Sequence, residues 1–311
     1  MSRVFIIGGA NIDICGASHE KLRAFDSNPG VITTSFGGVG RNIAENCCRL
    51  GQEVYFVTVF ADDLYGKQLK AYCEEVGLNC SLSKVVHGAR SSIYLAILNE
   101  NNDMQLAMSD MDILKNMDTN MLMHALSQVK EDDLLVIDTN LEKKYIDFIL
   151  ANANAPVAID PISTLKADKI KDELGRFTIL KPNVYESKVF TGIEIVDKET
   201  AIATLDAYLE MGVKEPIISM GERGVIAANK DEKIWVSHKM VEVTNATGGG
   251  DAFLAAYLVA RLKNKSLYEA VEFAIASAVC TVTCIETVNP DLCVKLVEEK
   301  IQELDIERES L

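Results

Sequence analysis

Four apolar residues in unbroken succession, Val4 to Ile7, stand near the start of the chain and stop at Gly8-Gly9. A run without polar alternation marks a strand covered on both faces, as in the middle of a parallel sheet. The same signature returns at residues 54–59, 134–137, 157–159, 178–180 and 217–219. Between these runs the apolar positions change to helical spacing, as in Ile43, Ala44, Cys47 and Leu50 ahead of Gly51, and then in residues 62–76, 142–150, from Val184, and 198–211. Strands alternating with helices predict an α/β fold: a doubly wound, mostly parallel sheet flanked by helices, with its sites at the strand C-terminal ends. The polar endings Asp138-Thr139-Asn140, Asp160-Pro161, Lys181-Pro182-Asn183 and Ser219-Met220-Gly221 fall there. Residues 225–227 and 234–236 predict an antiparallel extension, residues 252–262, 267–284 and 292–304 predict helices, and the residues after Asp305 read as a loose acidic end.

A second pattern interrupts the first. Past Gly9 the chain alternates, with Asn11 and Asp13 on one face of a strand and Ile12 and Ile14 on the other. The turn Ser27-Asn28-Pro29-Gly30 precedes another short strand, residues 31–36, and the runs 91–98 and 104–108 are split by the hairpin connection Asn99-Glu100-Asn101-Asn102-Asp103. Together, residues of about 11–16, 30–37 and 90–109 predict a small β-sheet lid within one unit spanning 1–311. Its edges and one apolar face make it the expected contact of a homodimer, should one form.

Composition narrows the function classes. A formal charge of −15 repels nucleic-acid backbones and anionic membranes, so neither is an expected partner. No apolar run is long enough to cross a bilayer and no signal-peptide pattern opens the chain, which predicts a cytoplasmic protein. Eight cysteines without C-x-x-C spacing and four scattered histidines predict reduced thiols rather than a disulfide framework or a zinc site.

Candidate chemistry concentrates in Asn245-Ala246-Thr247-Gly248-Gly249-Gly250-Asp251-Ala252-Phe253. Three glycines let successive backbone N–H groups converge, and the helix that follows adds the positive end of its dipole, so an anion such as phosphate is the natural guest. Asp251, one residue past the glycines, could take a proton from an attacking hydroxyl, or simply sit in a first turn. A second glycine-rich stretch, Phe36-Gly37-Gly38-Val39-Gly40-Arg41-Asn42, also leads into a helix, where Asn42 could present its amide to hydroxyls. Asp13 could bind a vicinal diol, so a sugar is one client, and a solvated edge strand is the alternative.

The two glycine-rich stretches, Asn183-Val184-Tyr185-Glu186 and Ser219-Met220-Gly221-Glu222-Arg223-Gly224, in this order and spacing, resemble the signatures of the ribokinase-like (PfkB) carbohydrate and nucleoside kinases. Within that family, Gly8-Gly9-Ala10-Asn11-Ile12-Asp13, Ser27-Asn28-Pro29-Gly30, Ser109-Asp110-Met111 and the segment Asp160 to Ala167 are most similar to the pseudouridine-kinase branch. The resemblance implies ATP as phosphoryl donor and Mg²⁺ as its companion. Asp251 becomes the base that deprotonates a ribose 5′-hydroxyl, and the amides of Gly248, Gly249 and Gly250 become the anion hole for the transferred phosphoryl group. Asp13, Gly38 and Asn42 become ribose ligands, with Asn11, Asn28 and Lys166 toward the base. Asn183 and Glu186 take Mg²⁺ through water, and Ser219, Gly221, Gly224 and Thr247 take the nucleotide; adenine contacts are expected in the helix 267–284 and the loop before it. Alternatives are another nucleoside or a fructose-like sugar as acceptor, or a sensor without turnover. One departure is that Asn245 stands where many relatives carry an Asp that helps hold a monovalent cation, which puts potassium activation in doubt.

Overall fold

The computed structural model describes residues 2–311. Its strands are β1 (Val4–Ile7), β2 (Asn11–Ser18), β3 (Gly30–Gly37), β4 (Val54–Val57), β5 (Val59–Ala61), β6 (Lys84–Val86), β7 (Ile93–Leu98), β8 (Met104–Asp110), β9 (Leu134–Asp138), β10 (Val157–Asp160), β11 (Ile179–Leu180), β12 (Glu215–Ser219), β13 (Val225–Ala228), β14 (Lys233–His238) and β15 (Ile306–Ser310). The helices are α1 (Val39–Arg49), α2 (Leu64–Glu75), α3 (Thr119–Leu126), α4 (Lys143–Asn152), α5 (Thr164–Ala167), α6 (Val184–Thr191), α7 (Lys198–Glu210), α8 (Gly249–Leu262), α9 (Leu267–Val282) and α10 (Val294–Glu303).

Nine strands form the main sheet in the order β15-β14-β13-β12-β11-β10-β9-β1-β4. From β12 to β4 every neighbour is parallel, and β13, β14 and β15 extend the sheet antiparallel. Side chains on successive strand positions point to opposite faces, so each run feeds two cores. Val4, Ile6, Phe56 and Val136 pack beneath α1, α8 and α9, while Phe5, Ile7, Val57 and Ile137 pack against the layer that includes α3, α4, α6 and α7. All eight of these side chains are buried, which is why the strands read as unbroken apolar runs. The chain leaves β1 toward β4 on one side and later resumes on the other with β9, so the order reverses at β1 and opens a crevice at the strand C-terminal ends.

A four-stranded sheet, β3-β2-β7-β8, stands apart from it, as the alternating pattern predicts. Register places Asp13 opposite Ser35 and Tyr94 on one face, and Ile32, Ile97, Leu106 and Met108 on the other.

Two expectations need correction. Residues 54–59 are not one strand: the chain breaks at Thr58, and β5 leaves the main sheet to pair with β6. The acidic end after Asp305 is not loose. It forms β15, paired with β14 in full register, and Arg308 bonds the buried Glu272 of α9. Nothing in Ile306-Glu307-Arg308-Glu309-Ser310 alternates in polarity, because an edge strand presents charge to water on both sides. Among the described residues all eight cysteines are free thiols, and no helix is long and apolar enough to cross a membrane.

Candidate active site

The N-terminus of α8 carries the site. Gly248 caps the helix with φ 84°, and a Cβ there would lie 1.9 Å from the Thr287 carbonyl oxygen, so only glycine fits. The first rung of the helix is Ala252 N–H to the Gly248 carbonyl at 2.9 Å. The N–H groups before it belong to the first turn, which has no intrahelical acceptors and gathers the positive end of the dipole. A Cβ on Gly249 would press to 2.6 Å from Val282, so this glycine also lets α8 close on the end of α9.

Asp251 is buried at 8% exposure in that first turn. Its Oδ2 accepts a hydrogen bond from Asn42 Nδ2 at 2.7 Å, a contact between residues 209 positions apart that joins the two glycine-rich stretches. Burial and the neighbouring Asp160 carboxylate push the Asp251 carboxyl up to about 7, against the opposing pull of Asn42, Lys181 and Arg41. A carboxyl poised there can exchange a proton near neutral pH, as a general base must.

Below it lies a charged cluster built from strand ends. Lys181, just past β11, pairs with Asp160 at the end of β10 at 3.1 Å, both buried. Burial works against the ammonium, yet Asp160, Glu186 and Asp251 hold its pKa above the ordinary lysine value. A Cβ on Gly250 would meet Lys181 Nζ at 3.3 Å, so the ammonium reaches the underside of the glycine turn. Glu186 is also buried, and burial and repulsion from Asp160 raise its carboxyl. Asn183 and Glu186 cap α6 reciprocally: Asn183 Oδ1 accepts from the Glu186 N–H, and Glu186 Oε2 from the Asn183 N–H, each at 2.9 Å. Three carboxylates against one lysine leave an excess of negative charge, a setting that suits a hydrated divalent cation. Among the described residues no group of three or more His, Cys, Asp or Glu could hold a metal directly.

Across the crevice, Asp138 at the end of β9 is fully buried and organises the start of α1. Its Oδ2 accepts from Gly9 N–H at 2.8 Å and Gly40 N–H at 2.9 Å, and its Oδ1 from Asn140 N–H at 2.8 Å. Arg41 then clamps the end of β3 to α1: its guanidinium donates to the Phe36 carbonyl at 2.7 Å and the Gly37 carbonyl at 3.2 Å, while bonding Glu45 and Asn42 Oδ1. The small sheet is thereby fixed to the helix that orients Asn42.

Of the expected acceptor residues, Asn11 and Asp13 share the inner face of the small sheet, and Asn11 Nδ2 donates to Asp13 Oδ1. Burial raises the Asp13 carboxyl, opposed by Asn11 and Arg41. Gly38, at φ 101°, lies against the Gly9 carbonyl, where a Cβ would approach to 2.5 Å. Lys166 Nζ donates to Asn140 Oδ1 at 2.5 Å, and burial lowers its pKa against the pull of Asp138. Asn28 is not brought to this cluster: its side chain accepts from Arg23 N–H and donates to the Arg23 and Asp26 carbonyls, holding its own loop together.

On the other side of the glycine turn a cavity of about 330 Å³ is lined by Ser219, Gly221 and Gly224 and by an apolar wall that includes Val225, Val241, Phe253, Ile275 and Val279. Helix α9 lines it, and so do His238, Met240 and Val243 from the end of β14 and the loop after it, although nothing in their composition marks a pocket. The loop before α9 does not line it. A larger cleft of about 830 Å³ lies at the opposite end of the sheet, around Glu215, Lys233 and Arg261, and touches none of the glycine motifs. Sequence reasoning puts Asp138, Asp160 and Lys181 at the strand ends where sites lie and Arg41 within a glycine-rich stretch, but gives none of them a part in the chemistry. The i,i+4 spacing of Arg41, Glu45 and Arg49 is the available sign of a buried ion network.

Residues 1–292 match the pfkB family of carbohydrate kinases. This chain belongs to that family. The kinase is 33% identical over 293 residues to the pseudouridine kinase of Escherichia coli K12, covering 94% of each chain, and 29% identical over 289 residues to the uncharacterized sugar kinase YeiI of the same organism, covering 92% of this chain and 80% of that one. A putative sugar kinase from Clostridium perfringens superposes with a TM-score of 0.89 at 28% identity, over 100% of this chain and 99% of the other. This family member is thus a ribokinase-like sugar or nucleoside kinase, a phosphotransferase with an alcohol acceptor.

Proposed function

We propose that the enzyme transfers the γ-phosphoryl group of ATP to the 5′-hydroxyl of pseudouridine, giving pseudouridine 5′-phosphate. The observation that carries this reading is the Asn42–Asp251 hydrogen bond, which sets a carboxyl of pKa about 7 between the glycine turn and the inner face of the small sheet. Asp251 Oδ2 is held by Asn42, leaving Oδ1 to accept the proton of the attacking hydroxyl. The amides of Gly248, Gly249 and Gly250 and the ammonium of Lys181 meet the charge that builds on the transferred group, whose loose transition state needs positioning and electrostatics above all.

The acceptor lies on the side of Asp13, Gly38 and Asn42, with its diol on Asp13. Asn11 and the Lys166–Asn140 pair face the base. A C-linked uracil offers an N1–H that uridine lacks, and a site that bonds it rejects the analogue by leaving a polar group unpaired. The likeness to the Escherichia coli pseudouridine kinase supports this choice of acceptor. The donor's adenine fits the apolar cavity beside Ser219, Gly221 and Gly224, with Thr247 beside the phosphates. Mg²⁺, held by Asn183 and Glu186 through water, would neutralise phosphate charge. The small sheet acts as a lid, and its outer face, where Ile32, Leu106 and Met108 are exposed, meets a second copy.

ADP release measured over a panel of pseudouridine, other nucleosides, ribose and fructose tests the assignment. Pseudouridine is expected to give the highest kcat/KM. Preference for another nucleoside or a sugar overturns the acceptor but keeps the phosphotransfer, and ATP binding without any turnover overturns both.

A further inference from the structure

The turn that precedes the anion hole is tied to the segment after α9 by two side chains: Thr244 Oγ1 donates to the Thr283 carbonyl at 3.3 Å, and Asn245 bridges farther along it. Asn245 Nδ2 donates to the Ile285 carbonyl at 2.8 Å, and Asn245 Oδ1 accepts from Thr247 N–H at 2.9 Å. The partners fix the amide's orientation, since a carbonyl can only accept and an N–H can only donate. Around this bridge, Thr244 and Asn245 N–H both bond the Val282 carbonyl, at 2.8 and 3.0 Å, and Gly248 abuts Thr287.

In ribokinase-type relatives, as the sequence resemblance implies, an Asp at this position helps hold a monovalent cation. The residues here do not fit that ion. A cation needs the lone pairs of the side-chain oxygen and of nearby carbonyls, and it gains from a formal negative charge. Asn245 supplies no charge, commits its Oδ1 to Thr247, and directs a polarised hydrogen, which would repel a cation, at the Ile285 carbonyl.

We propose that the Asn245 amide replaces a monovalent cation as the positioning element of the anion hole, so that this kinase holds its glycine turn in working geometry without potassium. The inference rests on the phosphotransfer reading of the same site. Asn245 touches neither reactant; it acts through Thr247 and Gly248, whose amides lead into the first turn of α8.

The test is MgATP affinity by calorimetry and turnover of the best acceptor, each in potassium, sodium and tetramethylammonium chloride at one ionic strength. For the natural sequence both quantities should agree across the three salts within about twofold. Asn245→Ala is expected to lower kcat about tenfold or more, equally in every salt, because the hydrogen-bond donors of the hole lose their alignment. Asn245→Asp should convert the enzyme to a cation-responsive one, with turnover at least about tenfold higher in potassium than in tetramethylammonium. A purely structural residue would shift melting temperature without producing that salt-specific response. The proposal is overturned if the natural protein loses about tenfold or more in affinity or turnover when potassium is withdrawn, or if Asn245→Ala matches it. Should either variant fail to fold, the salt panel on the natural protein decides alone. Should no acceptor be turned over in any salt, the phosphotransfer reading fails, while the affinity arm still judges the role of Asn245.

Discussion

The nine-stranded and four-stranded sheets use opposite designs for the same polypeptide chemistry. In the main sheet every residue of β1, β9 and β10 is buried, and in these three strands polar groups appear only where the strand runs out into the crevice, as at Asp138 and Asp160. In the small sheet β3 and β8 are exposed along nearly their whole length, and apolar side chains such as Ile32, at 75% exposure, and Leu106, at 71%, face outward. In the proposed reaction, α8 packed on the first sheet would hold Asp251 and the glycine amides in fixed relation, and the second sheet would bring Asp13 to them from a platform with little core of its own. Stability should therefore reside in one sheet and acceptor selection in the other.

Substitutions on either side put that division at risk. The largest effect is expected for Phe56→Ala in β4, fully buried between strand and helix layers, which should cost about 3–5 kcal/mol by urea denaturation. Leu106→Ser on the outer face of the small sheet, its counterpart, should change the stability of the isolated monomer by no more than about 0.5 kcal/mol. A comparable cost at both positions would erase the contrast.

Next comes Asp251→Asn. The folded protein holds this carboxyl at about 7, whereas an unfolded chain ionises it near 4. A raised carboxyl stabilises the fold fully below the unfolded value, and that contribution is lost as pH rises through the folded one. The amide should therefore leave the protein more stable at pH 8, by about 1.4 kcal/mol for every pH unit that separates the folded value from the unfolded one, with the gain vanishing at pH 4. Equal stability of the two proteins at both pH values would contradict the raised pKa.

Smaller in energy but selective in function is Gly37→Ala. A Cβ there would fall 2.2 Å from Asp13 Oδ2, and since the obstructing atom ends a side chain, the fold can yield where the site cannot. Acceptor kcat/KM should drop by roughly 10²-fold while ATP affinity and melting temperature stay near those of the parent. A loss shared equally by both substrates would show that the small sheet is not a separate acceptor platform.

How much of this can be read from the chain follows the same division. Strands buried on both faces announce themselves as runs such as Val4 to Ile7, and the glycine turns are legible because few residue types accept a positive φ and such close backbone neighbours. The alternation of Asn11 to Ile14 reveals the small sheet. What stays hidden depends on distant partners. The break at Thr58 is set by pairing of β5 with β6, and β15 exists because β14 offers it an edge. Asp160 ends β10 and Lys181 follows β11, so their ion pair has no spacing to betray it. Asn42 reads in the sequence as a hydroxyl ligand, and the contact that gives it a second duty comes from a residue 209 positions away.

The proposed chemistry turns on Asp251 taking the proton of the acceptor hydroxyl. Steady-state turnover of Asp251→Asn with saturating ATP and the best acceptor, alongside calorimetric ATP affinity, addresses this step without an intermediary. The expected result is a fall in kcat of at least about 10²-fold with ATP binding retained, and in the parent enzyme a kcat/KM that declines about tenfold per unit as pH drops below 7. An amide variant that turns over at the parental rate would contradict it.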